Sequence, residues 1–361
     1  MRGVGVWPLG GNRCSHQADR REQSLSKRPT IKDVAREAGV TIGTVSHVIN
    51  GTASVSDETA LRVRAVIKSL GYLPNASARN MRRDRNSMIG LLVPKLTNSY
   101  YSRIASSFMN RAADENYTVM LLSFEYSLSR ERAQIMTLLE NNVSTIVIVN
   151  NANDEQILRY AQGKGASIIL ADSESSLPGI PYIIFENDKA IHDAVGLLKS
   201  KGYRSIGYVS EPFGMVNLRQ RFEGYRHALK AYGYPCRGDY VFVLSDFRKD
   251  HLEQGYIFIR RQIEKRGRAS LPEALLVSSD MIAMGIIKGL ASCGYEVPGD
   301  LGVIGFDDLE ISSYVRPSLT TVHQDQDLLG NRLWDMAKAC HRGEEVKNLR
   351  LPQQLIVRDS V

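Results

Sequence analysis

The sequence predicts a small all-α headpiece followed by an α/β body of two similar halves built on parallel sheets. Three observations carry this. Residues 31–50, IKDVAREAGVTIGTVSHVIN, repeat apolar residues at helical spacing on either side of Gly39. From Ser87 onward, short continuous apolar runs alternate with amphipathic stretches. Charge divides at the same place: residues 1–84 carry 14 Lys and Arg against 7 Asp and Glu, and the remainder carries 32 against 32. The net +7 of the 361-residue chain therefore sits entirely in its first quarter, the footprint of a nucleic-acid-binding module joined to a neutral domain. A basic tail accounts for part of the excess, since six of those cations precede Pro29.

Ile31, Val34, Ala35 and Ala38 fall at i, i+3, i+4 and i+7, which makes one face of a first helix apolar. Gly39 stops it. Thr41 caps a second helix toward Thr44. There Val45, Val48 and Ile49 face inward, leaving Ile42, Gly43, Ser46, His47 and Asn50 outside. The layout is that of a helix-turn-helix, whose second helix enters the major groove of DNA; the spacing alone also fits an ordinary helical hairpin. Ser56 caps a third helix, striped by Val63, Val66, Ile67 and Leu70 and ended by Gly71.

The stretch YLPNASARNMRRDRNS follows. Pro74 cannot continue the preceding helix, and Asn75 can cap a new one. Residues 76–83 are helix-prone but too short to hold alone, so they need a partner to fold; a flexible basic linker is the alternative.

In the body the runs MIGLLV, TVMLLS, TIVIV and SIILAD alternate with helical patterns, one of them Ile104 to Asn116 and another near Arg130 to Asn141. The pattern restarts with a helix from Asp188 to Lys201, then SIGYVS, a helix around Arg221 to Ala231, VFVLS, ALLVSSD and LGVIGFDD. Ligands of such folds sit at the carboxyl ends of the strands, in the crevice between the halves. Polar residues gather there: Asp172, Ser279, Asp280, Asp307 and Asp308 end strand runs, and Asn98, Tyr100, Tyr101, Arg219, Arg221 and Phe247 lie just after others. Carboxylates, a guanidinium and an aromatic face suit a hydroxyl-rich solute. An Asp after a strand also caps the next helix, which is an equal reading for Asp280 and Asp308.

Composition excludes other classes. At 43% apolar residues the chain reads as globular, and no apolar run approaches the ~20 residues that span a bilayer. Residues 1–28 hold a weak apolar stretch, Val4 to Leu9, followed by cations; this suits a disordered tail or an unused upstream start better than an export signal. Cys14, Cys236, Cys293 and Cys340 have no paired spacing for zinc or redox work, and read as free thiols in a reducing cytoplasm. No G-x-S-x-G, H-E-x-x-H, Walker A loop or G-x-G-x-x-G after a strand is present, and the seven His are dispersed. Neither a cofactor nor a metal is expected.

DVAREAGV followed by TVSHVINGTASVS resembles the start of the lactose/galactose repressor (LacI/GalR) family, and the resemblance runs on to Val361. It implies a homodimer that reads a near-palindromic operator in double-stranded DNA under control of a small molecule. Ile42, Gly43 and His47 occupy its base-reading positions. Thr44, Ser46 and Asn50 occupy phosphate-contact positions. Residues 74–86 occupy its hinge segment, where Met81 stands in place of the usual minor-groove Leu and Arg82 is placed to meet phosphate. Residues 29–73 then form the DNA-binding domain and 87–361 the effector and dimerisation domain, with the helix near Ile104 to Ala113 a candidate dimer face. Tyr100, Asp172, Arg221, Phe247, Asp280 and Asp307 match effector-pocket positions, and Asn217 a less constant one. Lys95, Glu186, Ser279 and Gln326 depart from common family residues, so the pocket copies no single specificity. The effector class implied is a sugar, a sugar phosphate, or a nucleoside or purine. The fold without the headpiece also fits a periplasmic-type solute receptor, which would need export.

Overall fold

The computed structural model describes residues 29–72, 87–151, 154–244, 250–267 and 271–361. The chain divides into two compact units, with the division between residues 85 and 86. The expected hinge segment, with Met81 and Arg82, lies outside the described residues, as does Phe247.

The front unit is three helices: α1 (Ile31–Glu37), α2 (Ile42–Asn50) and α3 (Asp57–Leu70). Asp33 accepts from the Thr30 N–H at 2.9 Å and its hydroxyl at 2.7 Å, anchoring the start of α1. The Thr41 hydroxyl accepts from the Thr44 N–H at 3.1 Å and opens α2. Gly39, Gly51 and Gly71 follow the three helices with φ of 63°, 64° and 61°, the left-handed turn that glycine takes without strain. Val34, Val45 and Val63, one from each helix, have no exposed surface and form the core with Ala35 and Ala38.

The body holds two six-stranded sheets among the described residues. The first is made by β1 (Met88–Val93), β2 (Thr118–Ser123), β3 (Thr145–Val149), β4 (Ser167–Ala171) and β5 (Tyr182–Phe185), covered by α4 (Ser99–Asp114), α5 (Leu128–Glu140) and α6 (Glu155–Gly163). The second is made by β6 (Ile206–Ser210), β7 (Val241–Val243), β8 (Ala274–Val277), β9 (Gly302–Asp307) and β10 (Thr320–His323), with α7 (Asn187–Ser200), α8 (Val216–Ala231), α9 (His251–Arg266) and α10 (Asp280–Ser292). The chain then returns. Helix α11 (Gln326–His341) packs on α4, and β11 (Leu349–Leu351) pairs in parallel with β5, completing the first sheet. Finally β12 (Gln354–Ile356) pairs antiparallel with β10 and closes the edge of the second.

The sequence pattern, which restarts once, does not reveal this return: each half is finished by segments from the end of the chain. Among the described residues the backbone passes between the halves three times, beside Glu186, at residues 324–325 and at residues 352–353.

Two helices begin earlier than their apolar periodicity indicates. Asn98 caps α4 by accepting from the Tyr100 N–H at 3.0 Å, so Tyr100 and Tyr101 stand in its first turn rather than in a loop. The apolar face of α4, the helix expected at a dimer surface, is spent inside the protomer: Ile104, Phe108 and Ala112 are fully buried in a cluster with Leu333 and Trp334 of α11. Helix α8 likewise begins at Val216, one turn before Arg221.

Helices α9 and α10 cross at glycines. A Cβ on Gly255 would stand 2.2 Å from the Ile282 carbonyl oxygen, and one on Gly285 2.0 Å from that of Leu252. The two backbones touch where no other residue fits.

Candidate functional site

On the front unit, α2 presents Ile42, 41% exposed, with Gly43 and His47 on the same outward side. The His47 Nδ1 lies 2.9 Å from the Thr52 hydroxyl, which fixes the ring and leaves Nε2 turned outward. Ser46 accepts from the Asn50 amide at 3.2 Å, and Thr44 lies 3.0 Å from the Thr41 hydroxyl. A Cβ on Gly43 would meet nothing closer than 3.5 Å, so this glycine is not demanded by packing and leaves a flat place on the face.

In the body, a narrow, mostly polar cleft opens at the strand ends. Asn150, Asp172, Asp307 and Asp308 follow or end β3, β4 and β9 with φ of 49°, 52°, 124° and 53°. Asn and Asp tolerate this left-handed backbone best, and the sharp turn re-aims their side chains away from the sheets.

Arg221, 3% exposed, is the centre of the cleft. Its Nη1 donates to the Ser278 carbonyl at 2.8 Å, Nη2 to Gln324 Oε1 at 3.1 Å and Nε to Asn187 Oδ1 at 3.3 Å. The guanidinium lies 3.8 Å from the centre of the Phe306 ring. Gln353 Nε2 donates to the same two acceptors, Asn187 at 3.4 Å and Gln324 at 3.2 Å. One side chain of α8 is thereby bonded, directly or through one amide, to a residue of each of the three crossings between the halves.

Carboxylates surround it. Gln324 donates to Asp307 at 2.8 Å. Burial pushes the Asp307 carboxyl well above the usual range against the pull of Arg221. The Tyr100 hydroxyl donates to Asp172 at 2.7 Å, and burial raises Asp172 while Arg221 lowers it. Tyr100, Asn217, Arg221 and Asp307 line the cleft; Asp172 stands behind Tyr100.

Asp280 is different. It does not line the cleft. With no exposed surface, it accepts from the Leu309 N–H at 2.9 Å, the Ser312 hydroxyl at 2.6 Å and the Thr321 hydroxyl at 2.5 Å. It staples the turn after β9 to the start of α10, and the expectation that it lines the pocket is corrected to this. Asp308 pairs with Arg358 at 2.6 Å and His323 at 2.9 Å. Burial pushes the Asp280 carboxyl up to about 6, against ~3.9 in an unfolded chain. The folded state thus holds this proton more tightly, so its contribution to stability is full below pH ~4 and lost as pH rises through about 6. Asp280→Asn, which cannot ionise, is expected to lack that loss: its unfolding free energy relative to the native chain should improve by about 2 kcal/mol between pH 4 and pH 7, read by urea titration at each pH. A difference that stays flat with pH contradicts the buried, raised carboxyl.

The cleft also contains residues that sequence reasoning missed: Asn150, Glu211 and Ser278 just after strands, Tyr126 in a turn, and His251 at the start of α9. Asn150 could have been found by the rule that found Asp172, since it is the first polar residue beyond an apolar run, and Glu211 follows the strand-end Ser210 directly. Nothing local marks His251. Ser278 donates to Glu211, and the His251 Nδ1 faces the same carboxylate at 3.7 Å. Among the described residues no group of His, Cys, Asp and Glu is arranged to hold a metal. No helix among them is long and apolar enough to cross a membrane.

A three-helix unit with an outward-facing second helix, carried on a two-lobed α/β body with a polar cleft, defines a DNA-binding regulator. Comparison with known proteins agrees. Residues 30–75 match the model of bacterial regulatory proteins of the lacI family, and residues 195–361 match a periplasmic binding protein-like domain. The catabolite control protein A of Priestia megaterium is 32% identical over 299 residues, 82% of this chain and 87% of that protein. The HTH-type transcriptional repressor PurR of Photorhabdus laumondii is 30% identical over 338 residues, 92% of this chain and 96% of that one. A crystal structure of the lac repressor dimer bound to operator and the anti-inducer ONPF superposes with a TM-score of 0.79 at 27% identity, covering 92% of this chain and 99% of that one. The chain belongs to the lacI family of bacterial regulatory proteins. It is a sequence-specific DNA-binding transcriptional regulator, and the receptor alternative is not favoured.

Proposed function

We propose that the protein is a cytoplasmic repressor whose homodimer grips a near-palindromic operator, and whose grip is set by a hydroxyl-rich metabolite, a sugar or a nucleoside, held in the cleft. Residues 29–73 act as the DNA-binding domain, 74–86 as the hinge and 87–361 as the effector and dimer domain. Ile42 and His47 read base edges, with Ile42 on a thymine methyl and His47 donating to guanine. Thr44, Ser46 and Asn50 meet phosphates, and Met81 and Arg82 meet the minor groove. Tyr100, Asn217, Arg221 and Asp307 hold the effector, Asp172 acts through the Tyr100 hydroxyl it accepts from, Phe247 covers the effector, and Asp280 acts through the turn it staples.

The observation that carries the reading is the outward face of α2, where a half-exposed Ile42 and a His47 locked at Nδ1 stand beside a bare Gly43. The relatives it resembles are named as transcriptional regulators, which supports reading this chain as a regulator rather than an enzyme. His47→Ala is expected to weaken binding to a selected operator about 10- to 100-fold, the worth of one base contact, and to broaden the sequences selected from a random duplex library. Affinity for random duplex should stay as it was and fall steeply with salt. If His47→Ala selects the same operator as the native chain with the same affinity, the assignment of α2 is wrong.

A further inference from the structure

The cleft sets buried acceptors beside a single guanidinium. Arg221 has three of its nitrogens bonded to protein acceptors, so two of its five N–H groups remain for a ligand. Against that one cation stand Asp307 and Glu211, 7% and 5% exposed, with Asp172 behind Tyr100. Two polar atoms on residues that line the cleft have no partner among the described residues. One is Asn150 Oδ1, on a side chain 2% exposed whose amide nitrogen is taken up by the Tyr101 hydroxyl at 3.0 Å. The other is His251 Nε2. Its Nδ1 faces Glu211 at 3.7 Å, and in the tautomer that carries its proton there Nε2 accepts. Unfilled buried acceptors cost free energy until a donor reaches them.

We infer that the cleft takes an unphosphorylated, donor-rich polyol, neutral or amine-bearing, whose hydroxyl or ammonium hydrogens meet Glu211, His251 and Asn150, and that it rejects phosphate esters. This rests on reading the cleft as the effector site. A phosphate group brings nearly two negative charges and only acceptors. Beside the Glu211 carboxylate and the unfilled acceptors, it meets like charge and lone pairs in a low-dielectric cleft, which do not offset its loss of water. Glu211 and His251 then act as specificity-determining residues: the carboxylate orients the imidazole, and the two together present a fixed pair of acceptors.

Calorimetry on the full chain tests this with matched pairs: free hexoses and pentoses, amino sugars, polyols and nucleosides, each against its phosphate ester. The expected result is binding of an unphosphorylated member at least 100-fold tighter than its ester, weakened tenfold or more by Glu211→Gln and by His251→Asn, with circular dichroism showing both variants folded. Tighter binding of the amino sugar than of its parent sugar would place the ammonium on Glu211; the reverse would place a hydroxyl there. An ester that binds as well as its parent, binding indifferent to both variants, or a panel with no binder overturns the inference. Operator affinity measured in parallel separates the two readings. A ligand that shifts operator affinity yet ignores Glu211→Gln and His251→Asn leaves the effector reading standing without this one. A ligand that binds with no effect on operator affinity counts against the effector reading itself.

Discussion

Arg221→Met is expected to remove effector binding and to destabilise the body by about 3–5 kcal/mol, the cost of leaving buried charge and hydrogen-bond partners uncompensated. The Ser278 carbonyl loses its 2.8 Å donor. The side-chain oxygens of Asn187 and Gln324 each keep only the longer bond from Gln353, and Asp307 and Asp172 lose the cation that favours their ionised forms. The side chain is too long and too buried to be replaced by water alone. Lysine does not rescue it, because a single ammonium cannot span three acceptors set by a planar fork. The pH dependence has a definite sign. Asp307 already titrates high in the folded state, and without Arg221 it titrates higher still. A carboxyl raised on folding contributes stability that is lost as pH rises, so the deficit of Arg221→Met should be smaller at pH 5 than at pH 8. Urea unfolding at both pH values reads this, with an unchanged slope showing that the same structure is being lost. A variant that matches the native chain in midpoint and in effector response removes Arg221 from the centre of the body.

Gly285→Ala comes second. Helix propensity alone favours alanine by about 1 kcal/mol at an interior position. The crossing of α9 and α10 opposes it: the new Cβ would lie 2.0 Å from the Leu252 carbonyl oxygen and 2.9 Å from the Tyr256 nitrogen, both backbone atoms that no rotamer change can move. The helices must part by more than 1 Å, loosening Ile259, Ile282 and Ile286, which are fully buried around them. Overpacking of this kind costs about 1–3 kcal/mol and sometimes more, so against the propensity gain the net effect is a loss of about 1–2 kcal/mol. Because α9 begins at His251, effector affinity should fall with it. Gly163→Ala is the control. It lies in the last turn of α6, where an added Cβ meets nothing within 4 Å, and it should stabilise the body by about 0.5–1 kcal/mol. Thermal melts rank the three proteins. A Gly285→Ala chain that melts above the native one would mean the helices do not cross as closely as described.

Much of this molecule was legible in the residues. The headpiece helices follow from Val34, Val45 and Val63 and the three glycines that end them. The inner strands follow from apolar runs that are buried on both faces. The return of α11 and β11 was not legible, because the polar alternation of LRL says that a strand sits at an edge without saying which sheet owns the edge. The cleft was half legible. Arg221 stands out as a charge that its helix does not need. The capping reading of Asp280 and its pocket reading could not be separated locally: its partners Leu309, Ser312 and Thr321 are 29 or more residues away. His251 was invisible for the same reason. Its role depends on Glu211, forty residues earlier, and only the folded chain brings them together.

The return of the chain also has a bearing on synthesis. The first lobe buries Trp334 of α11 beneath α4 and takes β11 as its outer strand. Neither lobe can therefore close its core while the ribosome still holds the last forty or so residues. A nascent chain paused before that point exposes two unfinished sheets at once, a state suited to chaperone capture. A frameshift near the 3′ end of the message should then remove the whole body rather than trim it.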